Sequence, residues 1–520
     1  MFDSYFSNSQ QSQLAFTFVI IITSVLLFEF YKKNNAPIIL LLLGFVSLKL
    51  FYILLDPFVH TWDEQVHAVV AKSLMTNPLK PTLMPDIFPY NIGNWTANHI
   101  WLHKQPMFLW LIAVSYKIFG VNLFALRLPS LVFSVFTLFS IYRMGILQFN
   151  KSIAFYAVLI FGSLYYLNEL ITGYFPTDHN DTAFLCFVTA SMWGLSEHIN
   201  NPESLKWKIL IGVFAGMAIL TKYLTGLFVF GPWLIYLLVT IKVTNFNLKY
   251  FSSLITSLSV TLSVSLPWQI YILYKFPNEA IYEYTYNSKH FTEVIEGHEG
   301  DMFYYIENFN LTIIDNFKFI FPFALIAFWM ISKNRSLSIA FTIGVLFVFI
   351  FFTIAKTKMP AFTLITYPYL ILGLSALVHY IAEKTISFLK PLYSKAVLPV
   401  SFLTISVFLL QIEKTQASHT NWKFNVGDYN DRQFYLNWLK TAKYIKSLKL
   451  DKDYVIFNCN QMTHLSMMFY TDHFAYWSYP TPYHMRVLQQ KNKKAAVIND
   501  GHLPSYCYDK NILIINPPSN

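Results

Sequence analysis

The stretch HTWDEQVHAVVAKSLMTNPLK (residues 60–80), continued by NHIWLHKQP (98–106), decides how this chain is read. A run of membrane length, APIILLLLGFVSLKLFYILL (36–55), precedes it, and a second begins near Phe124. A polar stretch between two such runs is a loop on one face of a membrane. Trp62, Val66, Val69, Val70 and Leu74 recur at helical spacing, which predicts a short helix lying at the membrane surface. That helix opens on Asp63 and Glu64, and His67 follows Asp63 by one turn on the same face. Acidic residues at a helix start complement its dipole. Beside a bilayer and facing a cleft, they are also candidates for chemistry.

Outward from this loop, the chain remains apolar. Of its 520 residues 55% are hydrophobic and 13% charged, against roughly 25% charged in soluble proteins. The apolar runs are continuous rather than alternating, which excludes a β-barrel and predicts a polytopic α-helical membrane protein. About twelve windows have the length and character of spans, near 14–31, 36–55, 124–145, 152–170, 182–196, 208–221, 226–241, 251–274, 312–331, 336–354, 361–381 and 396–412. Met107–Phe119 is too short to span and reads as an interfacial helix. The net charge of +10 does not point to nucleic acid. Lys32, Lys33, Arg143, Lys151, Lys206, Lys208, Lys333, Arg335 and Lys384 fall in alternate short loops, the pattern of a cytoplasmic face. The Asp63 loop, residues 171–181, 275–311 and 355–360, and the C-terminal tail are then external. No basic region opens the chain, so no cleaved signal peptide is expected.

Beyond residue 412 the composition turns polar. A helical piece, FYLNWLKTAKYIKSL (434–448), is followed by DYVIFNC (453–459), KAAVIND (494–500) and NILIINP (511–517). The chain therefore divides into a membrane domain, 1–412, with external loops at 56–123 and 275–311, and a small extracytoplasmic α/β domain, 413–520. The tail has no glycine-rich phosphate loop, so no nucleotide cofactor is expected. Cys459 and Cys507 can pair if the tail is exported.

Further chemistry-bearing residues converge on the external face. ITGYFPTDHNDTAF (171–184) carries Asp178, His179 and Asp181, the last suited to cap the next span. Lys104 stands in WLHKQP, where it can snorkel to the interface or face an anion. Lys222 lies in LTKYLTG between two apolar runs, costly unless it faces a polar cavity. Lys356 and Lys358 in AKTKMPAF are solvated turn cations or a pocket for phosphate. The loop 275–311 holds His290 and His298 among carboxylates, a solvated acidic loop or a divalent-metal site.

In order along the chain stand an acidic pair after an early span, a Lys-x-Pro segment opening an interfacial helix, and FGVNLFALRLPS (119–130) with Arg127. An Asp after the next hairpin, an LTK motif, a His-bearing loop and a lysine turn before proline follow. Over about residues 36–381 this resembles the GT-C membrane glycosyltransferases, in the branch of the lipid A aminoarabinose transferases and protein O-mannosyltransferases. The resemblance implies transfer of a sugar from a polyprenyl phosphate carrier to a hydroxyl or phosphate of a lipid, glycan or protein, outside a bacterial cytoplasmic membrane. It makes Asp63 the catalytic carboxylate, with Glu64 its neighbour and Asp181 the second acid. His67, Lys104, Arg127, Lys222, Lys356 and Lys358 become substrate- or phosphate-binding positions. Two departures stand out. His103 occupies the place of a family glutamate and, with His290 and His298, is a candidate metal ligand; Phe362 stands where relatives often carry tyrosine. A transporter or flippase is the alternative reading; it expects ionisable residues near mid-span and two related halves.

Overall fold

A computed structural model describes residues 6–32, 34–175, 180–241, 251–313, 319–387, 391–420 and 432–518. Asp178 and His179 lie outside them. Among the described residues, seven helices are long and apolar enough to cross a membrane, and Pro106–Phe119, Lys151–Ser163 and Ile320–Ile331 are shorter apolar helices. The chain is thus a multi-pass helical membrane protein, read from the sequence with about twelve windows. It forms two compact units. The first comprises Met1–Tyr52, Ser130–Ile171 and Asn180–Glu413; the second comprises Ile53–Pro129, Thr172–His179 and Lys414–Asn520.

The first unit is all helical. Its packing shows why small residues punctuate the apolar runs. Gly212 and Gly216 lie one turn apart on the Leu205–Lys222 helix, and a Cβ on either would fall within 2.6 Å of Val260 or Val264 on the Ser252–Lys275 helix. Without those carbons the backbones approach closely enough for Ser257 Oγ to donate to the Lys208 carbonyl (2.7 Å) and Thr261 Oγ1 to that of Gly212 (3.1 Å). In lipid such contacts replace the hydrophobic drive that water would supply. The apolar stretch Leu205–Thr240 has 36 residues, ~54 Å if it were one straight helix and too long for one bilayer. It breaks after Lys222, where Tyr223 adopts φ 55°, and a 3₁₀ turn, Tyr223–Val229, packs back on the preceding helix. Lys222 is left in a last helical turn, where a cation complements the exposed carbonyls.

In the second unit, Asp63–Leu74 is a helix, as its spacing predicts, and so is Pro106–Phe119. The tail forms a four-stranded parallel sheet, order β2-β1-β3-β4, from β1 (Tyr454–Phe457), β2 (Phe474–Ala475), β3 (Lys494–Ile498) and β4 (Ile512–Ile515). β1, β3 and β4 are the three apolar runs read from the sequence; β2 has two residues and carries no pattern. Helices Arg432–Ser447, His464–Tyr470 and Pro482–Gln490 accompany the sheet. The tail does not close its own core. Ile87 and Phe88, from the loop after the Asp63 helix, are buried among Val455, Phe457, Leu488, Val497 and Ile512, and Phe58 packs on Tyr435 and Leu439. Cys459 and Cys507 are both free and buried, so the pairing that export would permit is not made.

Candidate active site

Arg127 organises the loop that bears the acids. Its guanidinium is fully buried. It grips Glu64 with Nε at 2.6 Å and Nη2 at 3.1 Å from the two carboxylate oxygens. The remaining N–H groups donate to the carbonyls of Ile53 (3.0 Å), Asp56 (2.9 Å) and Phe58 (2.8 Å). One planar fork therefore fixes both the acid and the backbone leading to it, a task a lysine point charge cannot match. Gly173 leaves room for Glu64: a Cβ there would lie 2.6 Å from its carboxyl carbon.

His60 extends the network. Its Nδ1 lies 2.9 Å from Glu64 and its Nε2 3.0 Å from Asp56. Asp56 in turn meets His419 Nδ1 at 2.5 Å and Arg432 at 3.1 Å, both from the C-terminal segment. Burial pushes the Glu64 carboxyl up, but the Arg127 charge and the His60 bonds outweigh it and hold it far below the usual carboxylate range. Asp56 is likewise pushed up by burial and brought well below that range by His419 and His60. Burial alone would lower His60, yet its bonds to the two carboxylates raise it above its ordinary value.

The two carboxylates have depressed folded values, so their contribution is complete above the ordinary 3.8 and 4.5 and is lost as pH falls through the depressed values. His60 has a raised folded value, so its contribution is complete below 6.5 and is lost as pH rises through that raised value. Thermal unfolding across pH should show a plateau from the upper carboxylate range to about 6.5, with an alkaline decline that His60→Asn flattens. A wild-type melting temperature that climbs steadily above that pH would contradict the assignment.

Asp63 begins its helix directly after Trp62, which adopts φ 62°. It is 4% exposed, and Lys104 Nζ lies 3.4 Å from its Oδ2. Lys104 itself is partly exposed, so the pair opens outward while Glu64 beside it is sealed. His67 is fully buried, edge-on to Trp101 and Phe108 at 5.7 Å each. In the first unit, Lys222 Nζ lies 2.6 Å from Asp181 Oδ1, with Asp181 1% exposed. Lys222 also sits 5.1 Å from the centre of the Phe362 ring, so the residue that replaces tyrosine offers a π face to the cation. The turn at 355–358 is laced to the 290–298 loop: Lys356, Thr357 and Lys358 donate backbone N–H bonds to the carbonyls of Phe291, His290 and His298. Lys356 is exposed. Lys358 is buried, and its Nζ donates to the carbonyls of Phe352 (3.0 Å), Thr353 (2.6 Å) and Ala355, which end the Arg335–Ile354 helix.

Among the described residues, one group of three metal-type donors converges, namely Asp56, His60 and His419, with ligand atoms within 4.8 Å of one another. His103, His290 and His298 are not in it; His103 stacks on Trp95 at 5.5 Å. The residue types suit a divalent ion, but their surroundings do not. Both nitrogens of His60 already serve carboxylates that Arg127 and Arg432 neutralise, so an ion there would have to displace a bonded proton and add charge to a buried site. The sequence reading missed Asp56, His60, His419 and Arg432. The spacing Asp56-x₃-His60-x₃-Glu64 was available as a signal; nothing local marks His419 or Arg432.

Residues 103–271 match the dolichyl-phosphate-mannose-protein mannosyltransferase family. The chain is 28% identical over 286 residues to the undecaprenyl phosphate-alpha-4-amino-4-deoxy-L-arabinose arabinosyl transferase 2 of Proteus mirabilis, covering 52% of this chain and 49% of that protein. It spans about half the length of the curated relatives it matches first. The crystal structure of ArnT from Cupriavidus metallidurans bound to undecaprenyl phosphate overlays 90% of this chain and 87% of its own, with a TM-score of 0.59 and 16% identity. The archaeal oligosaccharyltransferase AglB from Archaeoglobus fulgidus, in complex with an inhibitory peptide and a dolichol-phosphate, gives 89% and 69%, a TM-score of 0.54 and 11% identity. These overlays define the fold as GT-C. Within that class the chain is similar to the aminoarabinose transferases and to the dolichyl-phosphate-mannose-protein mannosyltransferase family.

Proposed function

We propose that this protein transfers a sugar from a polyprenyl phosphate carrier to a hydroxyl or phosphate of a lipid, glycan or protein acceptor, at the outer face of a bacterial cytoplasmic membrane. The observation that carries the reading is the Asp63–Lys104 pair: a nearly buried carboxylate held against an outward-opening cation, on a loop locked from behind by Arg127. Asp63 takes the proton of the acceptor hydroxyl as it attacks the anomeric carbon. The carrier phosphate departs with the glycosidic electron pair. It is a good leaving group that needs positive charge rather than a proton, which Lys104, beside Asp63, supplies. Glu64 touches neither substrate in this scheme and fixes the backbone on which Asp63 stands. A single displacement inverts the anomeric centre.

The test is transfer of a radiolabelled sugar from undecaprenyl phosphate to lipid A or to a serine/threonine peptide by protein in lipid nanodiscs. Failure to consume any polyprenyl-phosphate sugar would reject the reading. Lys104→Gln should raise the donor KM, lowering kcat/KM about ten- to a hundredfold, because a charge-assisted bond to phosphate contributes ~1.5–3 kcal/mol. Donor titration checks this, and an unchanged KM would remove Lys104 from the phosphate site.

A further inference from the structure

A cleft on the second unit has no part in the scheme above. Its volume is about 160 Å³, and its lining includes Phe88, Tyr90, Asn91 and Asn94 from the loop after the Asp63 helix and Tyr476 and Trp477 from the tail. No lining residue carries a formal charge at neutral pH, so nothing there suits a phosphate or a charged peptide. Trp477 and Tyr90 are 38% and 37% exposed, presenting large rings to water, and Phe88 stacks edge-on beneath Tyr476 at 4.8 Å. The two asparagines are oriented by their own loop. Asn91 Oδ1 accepts from the Gly93 N–H at 2.9 Å, and Asn94 Oδ1 accepts from Thr96 Oγ1 at 2.9 Å. Each amide oxygen is thereby committed, and its NH₂ donors are left for a ligand or water. Ring faces that cover the C–H side of a ligand, with amides that meet its hydroxyls, are the chemistry that recognises a neutral sugar ring.

Position supports the same occupant. Tyr476 and Trp477 directly follow β2, at the carboxyl edge of a parallel sheet, where such folds place ligands. The other wall leads back to the acids. Asn94 adjoins Trp95, whose ring lies 5.8 Å from Trp62 and 5.5 Å from His103. Trp62 precedes Asp63, and His103 precedes Lys104. Trp95, next in sequence to a lining asparagine, thus touches the residues that precede both members of the Asp63–Lys104 pair. We infer that the Tyr90–Trp477 cleft is a carbohydrate-binding subsite that holds the glycan of the acceptor while its hydroxyl reaches Asp63. The inference rests on the transferase reading for its purpose and on the cleft alone for binding.

The experiment uses full-length protein in nanodiscs without donor, titrated calorimetrically with maltotriose, with delipidated lipopolysaccharide core oligosaccharide, with intact lipopolysaccharide and with a serine/threonine peptide. At least one oligosaccharide should bind, and Trp477→Ala and Asn91→Ala should each weaken it about tenfold. Tyr508→Ala, exposed on the tail outside the cleft, should leave it unchanged. Tyr508→Ala should also leave thermal unfolding and donor hydrolysis as in the wild type. Tighter binding of intact lipopolysaccharide than of its core would place the glycan on a lipid. Sugar binding equal in the cleft variants and wild type, or a peptide as the ligand lost on Trp477→Ala, overturns the proposal. So does donor turnover with no oligosaccharide bound, which leaves the transferase reading intact. Cleft-dependent sugar binding without donor turnover supports the subsite and removes the transferase.

Discussion

Asp63→Asn is expected to reduce sugar transfer by about 10²–10⁴-fold, the usual contribution of a positioned general base. Asparagine keeps the shape of the side chain and its capacity to bond to Lys104, so the helix start should be undisturbed. The bonds of Glu64, His60 and Asp56 to Arg127, His419 and Arg432 are left in place by the substitution. Membrane yield and melting temperature should therefore match the wild type, and the loss should appear in kcat. Labelled-donor assays at saturating acceptor measure it. Near-full activity in a well-folded Asp63→Asn protein would take the proton-accepting role away from this residue.

Arg127→Met should instead act on stability. Methionine fills a similar volume but strands the Glu64 carboxylate in a site that is fully buried, and it frees the carbonyls of Ile53, Asp56 and Phe58. Breaking a buried pair from one side costs about 3–5 kcal/mol, a large share of an ordinary ~5–15 kcal/mol margin. The variant should be lost from the membrane fraction or unfold at a markedly lower temperature. Adding Glu64→Gln should recover part of the loss, because the stranded charge is gone. If Arg127→Met melts like the wild type, the guanidinium is not what holds the loop.

The difference between these two results reflects what was legible in the chain. Runs of apolar residues announced the helices, and the three Val/Ile-rich pieces announced the parallel strands, because both are statements about period and length. Asp63, Lys104, Asp181 and Lys222 were each legible singly, as charges that the membrane edge does not tolerate without cause. Their pairing was not, since it is set by how segments far apart in sequence fold together. Lys358 shows the limit in the other direction. A cation in a turn before proline reads as a phosphate ligand, yet its ammonium is drawn onto the carbonyls that close the preceding helix, a local demand that sequence spacing does not advertise. His419 and Arg432 reach Asp56 from more than 360 residues away, and no window of the chain could have predicted them.

The segment between Pro81 and Trp101 closes on itself. Backbone bonds join Leu83 to His99, Met84 to Asn98 and Trp101 to Pro81, and its tip delivers Phe88 into the tail. Anyone preparing the last hundred or so residues as a soluble fragment, for an antibody or for crystals, would be making a body with a hole in it. Grafting residues 81–101 onto that fragment through a flexible linker should turn a sticky, poorly behaved product into a tractable one.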